Sequence, residues 1–181
     1  SGLPYYGPDT LQTENYQVRD FTFINQDSQT ISRKLFENKI WISEFFFTTC
    51  GGICPVMNKN LSSIQKAFAS DTNILFLSHT VDPETDNVSK LKSYAERHSA
   101  IPEKWHFVTG EAAYIYDLAR TSYFSAGPKD SLRKEDFVHS QLFCLIDPHL
   151  HISGYYDGTS GKDIKKLEED IRLLKKEYEL N

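Results

Sequence analysis

The sequence predicts an α/β fold, and three observations predict it. Runs that are apolar on both faces, IWISEFFF (40–47), NILFLSHTVD (73–82) and QLFCLID (141–147), have the character of buried central strands. Between them lie stretches whose apolar residues recur every three or four positions, the period of an amphipathic helix. The chain has 181 residues, 39% of them hydrophobic, which suffices for one domain with a full core.

The elements follow in order. YQVRDFTFIN (16–25) alternates, meets the turn-like NQDSQ, and continues into QTISRKLFE; these read as an N-terminal β-hairpin. IWISEFFF is aromatic and β-branched and reads as a central strand. In CPVMNKNLSSIQKAFAS, Met57, Leu61, Ile64 and Phe68 share one helix face, with Pro55 suited to the first turn. NILFLSHTVD is the next strand. Asp82-Pro83 and Asp86 mark a turn and a helix start, and Val88, Leu91, Tyr94 and Ala95 face inward on a helix reaching about His98.

WHFVTG (105–110) is a short strand, and EAAYIYDLAR a helix. The stretch 122–140 has no clear period and reads as an inserted loop. QLFCLID is a buried strand, and LHISGYYDG pairs with it as a hairpin. The final helix carries Ile164, Leu167, Ile171, Leu174 and Tyr178 on one face. The order β-α-β-α-β-α-β-β-α suits a single thioredoxin-like domain over 1–181, a central mixed sheet flanked by helices.

Composition narrows the function. Twenty basic against 25 acidic residues give a net charge of −5, which argues against nucleic acid as a partner. No run of about 18 apolar residues is present to span a bilayer. Three cysteines are too few for a disulfide scaffold, and Cys144, inside LFCLI, reads as a buried small hydrophobe.

Cys50 and Cys54 are the pair that matters. They lie just past a central strand and at a helix start, where ligands sit in open α/β sheets. Helix N-termini favour the thiolate, so both pKa values are expected below about 8.5. Gly51 and Gly52 are expected to let the chain curl so that the sulfurs converge. Convergent thiols have three readings: a structural disulfide, dithiol–disulfide exchange, or a soft metal ion such as Cu(I) or Zn(II). The disulfide stabilises little, because the loop it closes is short.

The metal reading requires a third ligand. Among the six histidines, His98 suits a solvated helix end and His106 a packed strand. His149 and His151 follow Asp147-Pro148, at the far end of their strand from the cysteines. His79 and His139 remain. If QLFCLID runs antiparallel to IWISEFFF, its start lies beside the cysteines, and this favours His139 over His79. Asp82 suits either a turn cap or a residue that orients His139. Glu44 interrupts a buried run; pairing with Lys or Arg beneath an outer helix is the favoured reading, and a proton acceptor for the thiols the other.

Together these residues resemble a family. Cys50-Gly51-Gly52-Ile53-Cys54-Pro55 resembles the CxxxCP motif of the Sco/SenC proteins. VDPETD (81–86), WHFVTG, the opening LPYYG, and VHSQLFCLIDP with Pro148 nine residues after His139 resemble further blocks, so the likeness spans about residues 3–178. The resemblance implies a thioredoxin-like fold that binds one copper ion per chain, Cu(I) or Cu(II), through Cys50, Cys54 and His139. It implies a monomeric metallochaperone and/or thiol reductase, with Cys50 and Cys54 as the redox pair. Such a protein assists assembly of the dinuclear copper centre of cytochrome c oxidase. Its partners would be subunit II or a similar copper acceptor, and a copper-donor chaperone.

It also implies an N-terminal membrane anchor facing the periplasm or the mitochondrial intermembrane space. The expectation is that this sequence, which opens on Ser1-Gly2, lacks that anchor. Two alternatives stand beside this reading: a metal-independent thiol–disulfide oxidoreductase, and a copper- or redox-sensing binding module. The chain departs from the family pattern in Gly51-Gly52, where many members carry a charge, and in Thr85, where many carry arginine.

Overall fold

The computed structural model describes residues 2–8, 13–125, 136 and 141–181. Seven strands form one sheet: β1 (Thr22–Asn25), β2 (Thr30–Ser32), β3 (Ile40–Phe46), β4 (Ile74–Thr80), β5 (Trp105–Thr109), β6 (Leu142–Ile146) and β7 (Ile152–Asp157). Their order is β2-β1-β5-β4-β3-β6-β7. β3, β4 and β5 run parallel, whereas β1, β2, β6 and β7 join antiparallel, so the sheet is mixed as expected.

Every residue of β3 and β4 is buried. Successive side chains of a strand point to opposite faces. Ile42, Glu44 and Phe46 therefore share one face, and Trp41, Ser43 and Phe45 the other. Over the first face lie α1 (Ile53–Ala67), α2 (Val88–Arg97) and α4 (Gly161–Glu177). Tyr94 of α2 packs on Phe46 and Phe107, and Tyr156 donates to Asp170 of α4 at 2.6 Å. Over the second face, Tyr114 of α3 (Ala112–Thr121) packs on Phe23, and Tyr123 packs on Trp41 and Phe45.

The hairpin is shorter than its sequence pattern. Tyr16 and Val18 are buried in alternation, and Phe21 is buried one residue out of that phase, but none of the three is strand. Val18 N–H donates to the Leu150 carbonyl at 3.0 Å and Arg19 N–H to Ser122 Oγ at 2.9 Å. The segment therefore wraps the second face instead of extending β1. Helix starts also differ by a residue: α2 is capped by Asn87, whose side chain accepts from Lys90 N–H, while Asp86 turns inward.

Candidate functional site

β3 ends at Phe46, and Cys50 follows four residues later with its N–H donating to the Phe47 carbonyl at 3.1 Å. Gly52 is the N-cap of α1, which places Cys54 in the first turn. Cys50 is 7% exposed and Cys54 only 2%. The two side chains lie within hydrogen-bonding reach, and neither is in a disulfide. The convergence expected from the sequence is therefore present.

Its electrostatics differ from expectation. Burial pushes the Cys54 thiol well above its ordinary value, and its hydrogen bond with Cys50 adds to this. A main-chain hydrogen bond from Phe47 acts the other way, and the Cys50 and Glu44 charges give smaller upward pushes. At this depth desolvation of a thiolate outweighs the helix N-terminus, so the expected lowering fails at Cys54. The glycines play a different part too. Neither adopts positive φ, and a Cβ at either position would meet nothing within 4 Å. The loop therefore does not use the left-handed backbone that favours glycine.

Glu44 lies fully buried on the α1–α2 face and makes no ion pair among the described residues, contrary to the favoured reading. Ser78 Oγ donates to its Oε2, and Ser78 in turn accepts from Trp105 Nε1 at 2.9 Å. Oε1 has no hydrogen-bond partner among the described residues. Desolvation raises the Glu44 pKa to about 8. Tyr94, which accepts from Asn58 Nδ2 at 2.8 Å, is raised by burial and then by the Glu44 charge.

His79 is on the opposite face. It stacks on Phe45 with ring centroids 4.5 Å apart, among Phe21, Phe23 and Tyr123. His106 is packed in β5, with Nδ1 3.0 Å from Asn25 Nδ2. His98 caps α2 and is half-buried beside Tyr94. His149 and His151 gather round Asp147 past the end of β6, where Asp147 also accepts from Tyr178 at 2.9 Å. Asp82 accepts from Thr85 and Asp86 N–H through its carbonyl, a turn role. His139 lies outside the described residues. Among those described, no three His, Cys, Asp or Glu side chains gather as a metal site.

The β3–β6 register pairs Trp41 with Ile146 and Ser43 with Cys144; continued, it sets Leu142 level with Phe45. The start of β6 therefore lies at the cysteine edge of the sheet.

Sequence reasoning passed over Asp86 as a helix start. It is fully buried and takes three donors: Thr48 N–H at 3.0 Å, the Thr48 hydroxyl, and Thr80 Oγ1 at 2.6 Å. The available signal was a second acid after Asp82-Pro83, with Thr48 just past one central strand and Thr80 at the end of the next.

A mixed sheet flanked by helices, with paired thiols where a central parallel strand meets its helix, defines the thioredoxin-like class. Within it, the chain belongs to the SCO1/SenC family, whose model matches residues 9–175. The SCO1 protein homolog of Bacillus subtilis is 28% identical over 159 residues, covering 87% of this chain and 82% of that one. The SCO1/SenC family lipoprotein of Bacillus anthracis superposes with a TM-score of 0.77 at 26% identity, covering 88% of this chain and 95% of that one. BsSco, described as a Sco-family cytochrome c oxidase assembly protein with a disulfide switch, has a TM-score of 0.75 at 27% identity, covering 90% and 95%. ScoI of Arabidopsis thaliana, solved with copper bound, shares the fold at 21% identity with a TM-score of 0.67, covering 89% and 99%.

Proposed function

We propose that this chain is a copper-binding metallochaperone and/or thiol reductase that assists assembly of the dinuclear copper centre of cytochrome c oxidase. The observation that carries the proposal is the pairing of the Cys50 and Cys54 thiols at the end of β3. Two thiolates suit Cu(I), and an imidazole completes a three-ligand set. We assign that imidazole to His139. Its support is the antiparallel β6, whose start lies at the cysteine edge. His139 precedes Leu142 by three residues, a reach of at most about 10 Å. The rejected alternative, His79, is buried on the other face with Phe45.

Copper is the cargo, one ion per chain. Its capture displaces the thiol protons, and burial makes the Cys54 proton hard to remove. Apparent affinity therefore rises with pH. Without metal, the same pair serves exchange: two thiols become one disulfide, and a target disulfide takes the two electrons and two protons to become two thiols. The acceptor is subunit II or a similar copper protein, and a copper-donor chaperone supplies the ion. The proposed setting is anchored and extracytoplasmic, facing the periplasm or the intermembrane space, with the domain monomeric; that one relative is a lipoprotein supports the anchor. Among the described residues no helix is long and apolar enough to cross a membrane.

The test is Cu(I) titration of fully reduced protein without oxygen. One ion per chain is expected, with tight binding lost in Cys50→Ala and Cys54→Ala and weakened in His139→Ala. Retained tight binding in Cys54→Ala overturns the three-ligand set. No specific binding, with a readily cycled Cys50–Cys54 disulfide, assigns the site to metal-independent thiol exchange.

A further inference from the structure

We infer that Asp86 is a positioning residue for the cysteine pair, acting through Thr48. The inference rests on the reading of Cys50 and Cys54 as the working thiols. Three facts carry it. First, Asp86 is fully buried, yet no Lys, Arg or His pairs with it among the described residues. Its two carboxyl oxygens accept from the Thr48 N–H, the Thr48 hydroxyl and the Thr80 hydroxyl. Losing a donor from a buried acceptor is costly, so this side chain and its donors hold one another in place.

Second, two of the three donors belong to one residue, and that residue stands two places before Cys50. The third belongs to the last residue of β4. Asp86 thus ties the cysteine loop to the end of the neighbouring parallel strand. Third, the surrounding bonds leave this tie nowhere to shift. Val81 N–H donates to the Phe46 carbonyl at 2.8 Å, Asp86 N–H to the Asp82 carbonyl at 2.9 Å, and Asp82 N–H to Thr80 Oγ1 at 3.0 Å. Beyond Thr48 the loop is also held by the Cys50 N–H bond to the Phe47 carbonyl and by the burial of both cysteines, while Thr49, Gly51 and Gly52 are exposed and a Cβ added at either glycine would touch nothing. Where Thr48 is held therefore helps to set the separation of the two sulfurs, and a dithiol that must close on itself or on a metal is sensitive to that separation.

The experiment measures the equilibrium of the reduced protein with glutathione disulfide, in which protein dithiol and one glutathione disulfide give protein disulfide and two glutathione. Thr48→Val removes the hydroxyl donor and keeps the main-chain bond. It should shift the equilibrium constant by about tenfold, which for this two-electron couple is about 30 mV. Thr48→Ser restores the donor and should return the parent value. Tyr178→Phe removes a hydroxyl that donates to Asp147, past the end of β6 opposite the cysteine edge. It should lower stability without touching the loop, so it should keep the parent equilibrium. A parent value in Thr48→Val, or an equal shift in Tyr178→Phe, overturns the inference. Cu(I) binding by the parent is read separately. Its absence would remove the copper reading, while the glutathione equilibrium would still decide the role of Asp86.

Discussion

Ser78 Oγ donates to Glu44 Oε2 at 2.5 Å, and the other oxygen of the same carboxyl has no hydrogen-bond partner among the described residues. A fully buried carboxyl satisfied on one side only is held toward its neutral form, with its pKa raised from 4.5 to about 8. The folded protein then binds a proton that the unfolded chain has released. The contribution to stability is fully present below 4.5 and is lost as pH rises toward 8, by at most about 1.4 kcal/mol per unit. Glu44→Gln keeps the shape and an acceptor for Ser78. Denaturant titrations across this window should show a falling limb in the parent and a flatter one in the variant. Equal slopes would mean that Glu44 is ionised throughout.

His79 shapes the acid side. Its Nδ1 faces the Glu44 carbonyl at 2.9 Å; a carbonyl only accepts, so Nδ1 carries the proton and Nε2 is a bare acceptor with no hydrogen-bond partner among the described residues. Burial lowers its pKa to about 4. Unfolding below 6.5 lets the ring take up a proton, so stability present above 6.5 is lost as pH falls toward 4. His79→Phe, which suits the surrounding Phe21, Phe23 and Phe45, should flatten that acid limb in the same titrations. Because His79 lies across the sheet from the thiols, it should leave Cu(I) binding intact.

Gly154 in β7 sits beneath Tyr156, two residues on and on the same face. A Cβ there would come 2.6 Å from the Tyr156 hydroxyl oxygen and 2.9 Å from its ring. That hydroxyl is committed to Asp170 of α4. Gly154→Ala should therefore cost about 1–3 kcal/mol in chemical denaturation, as expected for overpacking in a filled interior. No change in the midpoint would mean that the tyrosine moves freely.

Much of this was legible in the sequence, and the failures have physical causes. Burial on both faces marked β3, β4 and β6, because in a covered central strand every position must be apolar or internally satisfied. The cysteine pair was legible because a strand end and a helix start could both be placed. Glu44 was noticed, but its partners Ser78 and Trp105 come from β4 and β5, and register across strands is not written in local sequence. The thiol pKa was misjudged because the helix N-terminus can be read from spacing, whereas the depth of Cys54 cannot. Asp86 was overlooked because its three hydrogen bonds reach back to two other segments. The six-residue alternation from Tyr16 looked like strand, since alternation records which side chains are buried and not where the backbone bonds go.

The open space around Gly51 and Gly52 has an evolutionary consequence. The frame beside the thiols includes buried Asp86 and the Thr48 it holds, while Gly51 and Gly52, two of the three residues between the cysteines, have open space where a side chain would project. Selection can rewrite the lettering at 51 and 52, adding charge, bulk or polarity, without renegotiating the architecture beneath. Recognition and folding are thereby placed under separate control, and a library randomised at these two positions would explore partner choice on an unchanged scaffold.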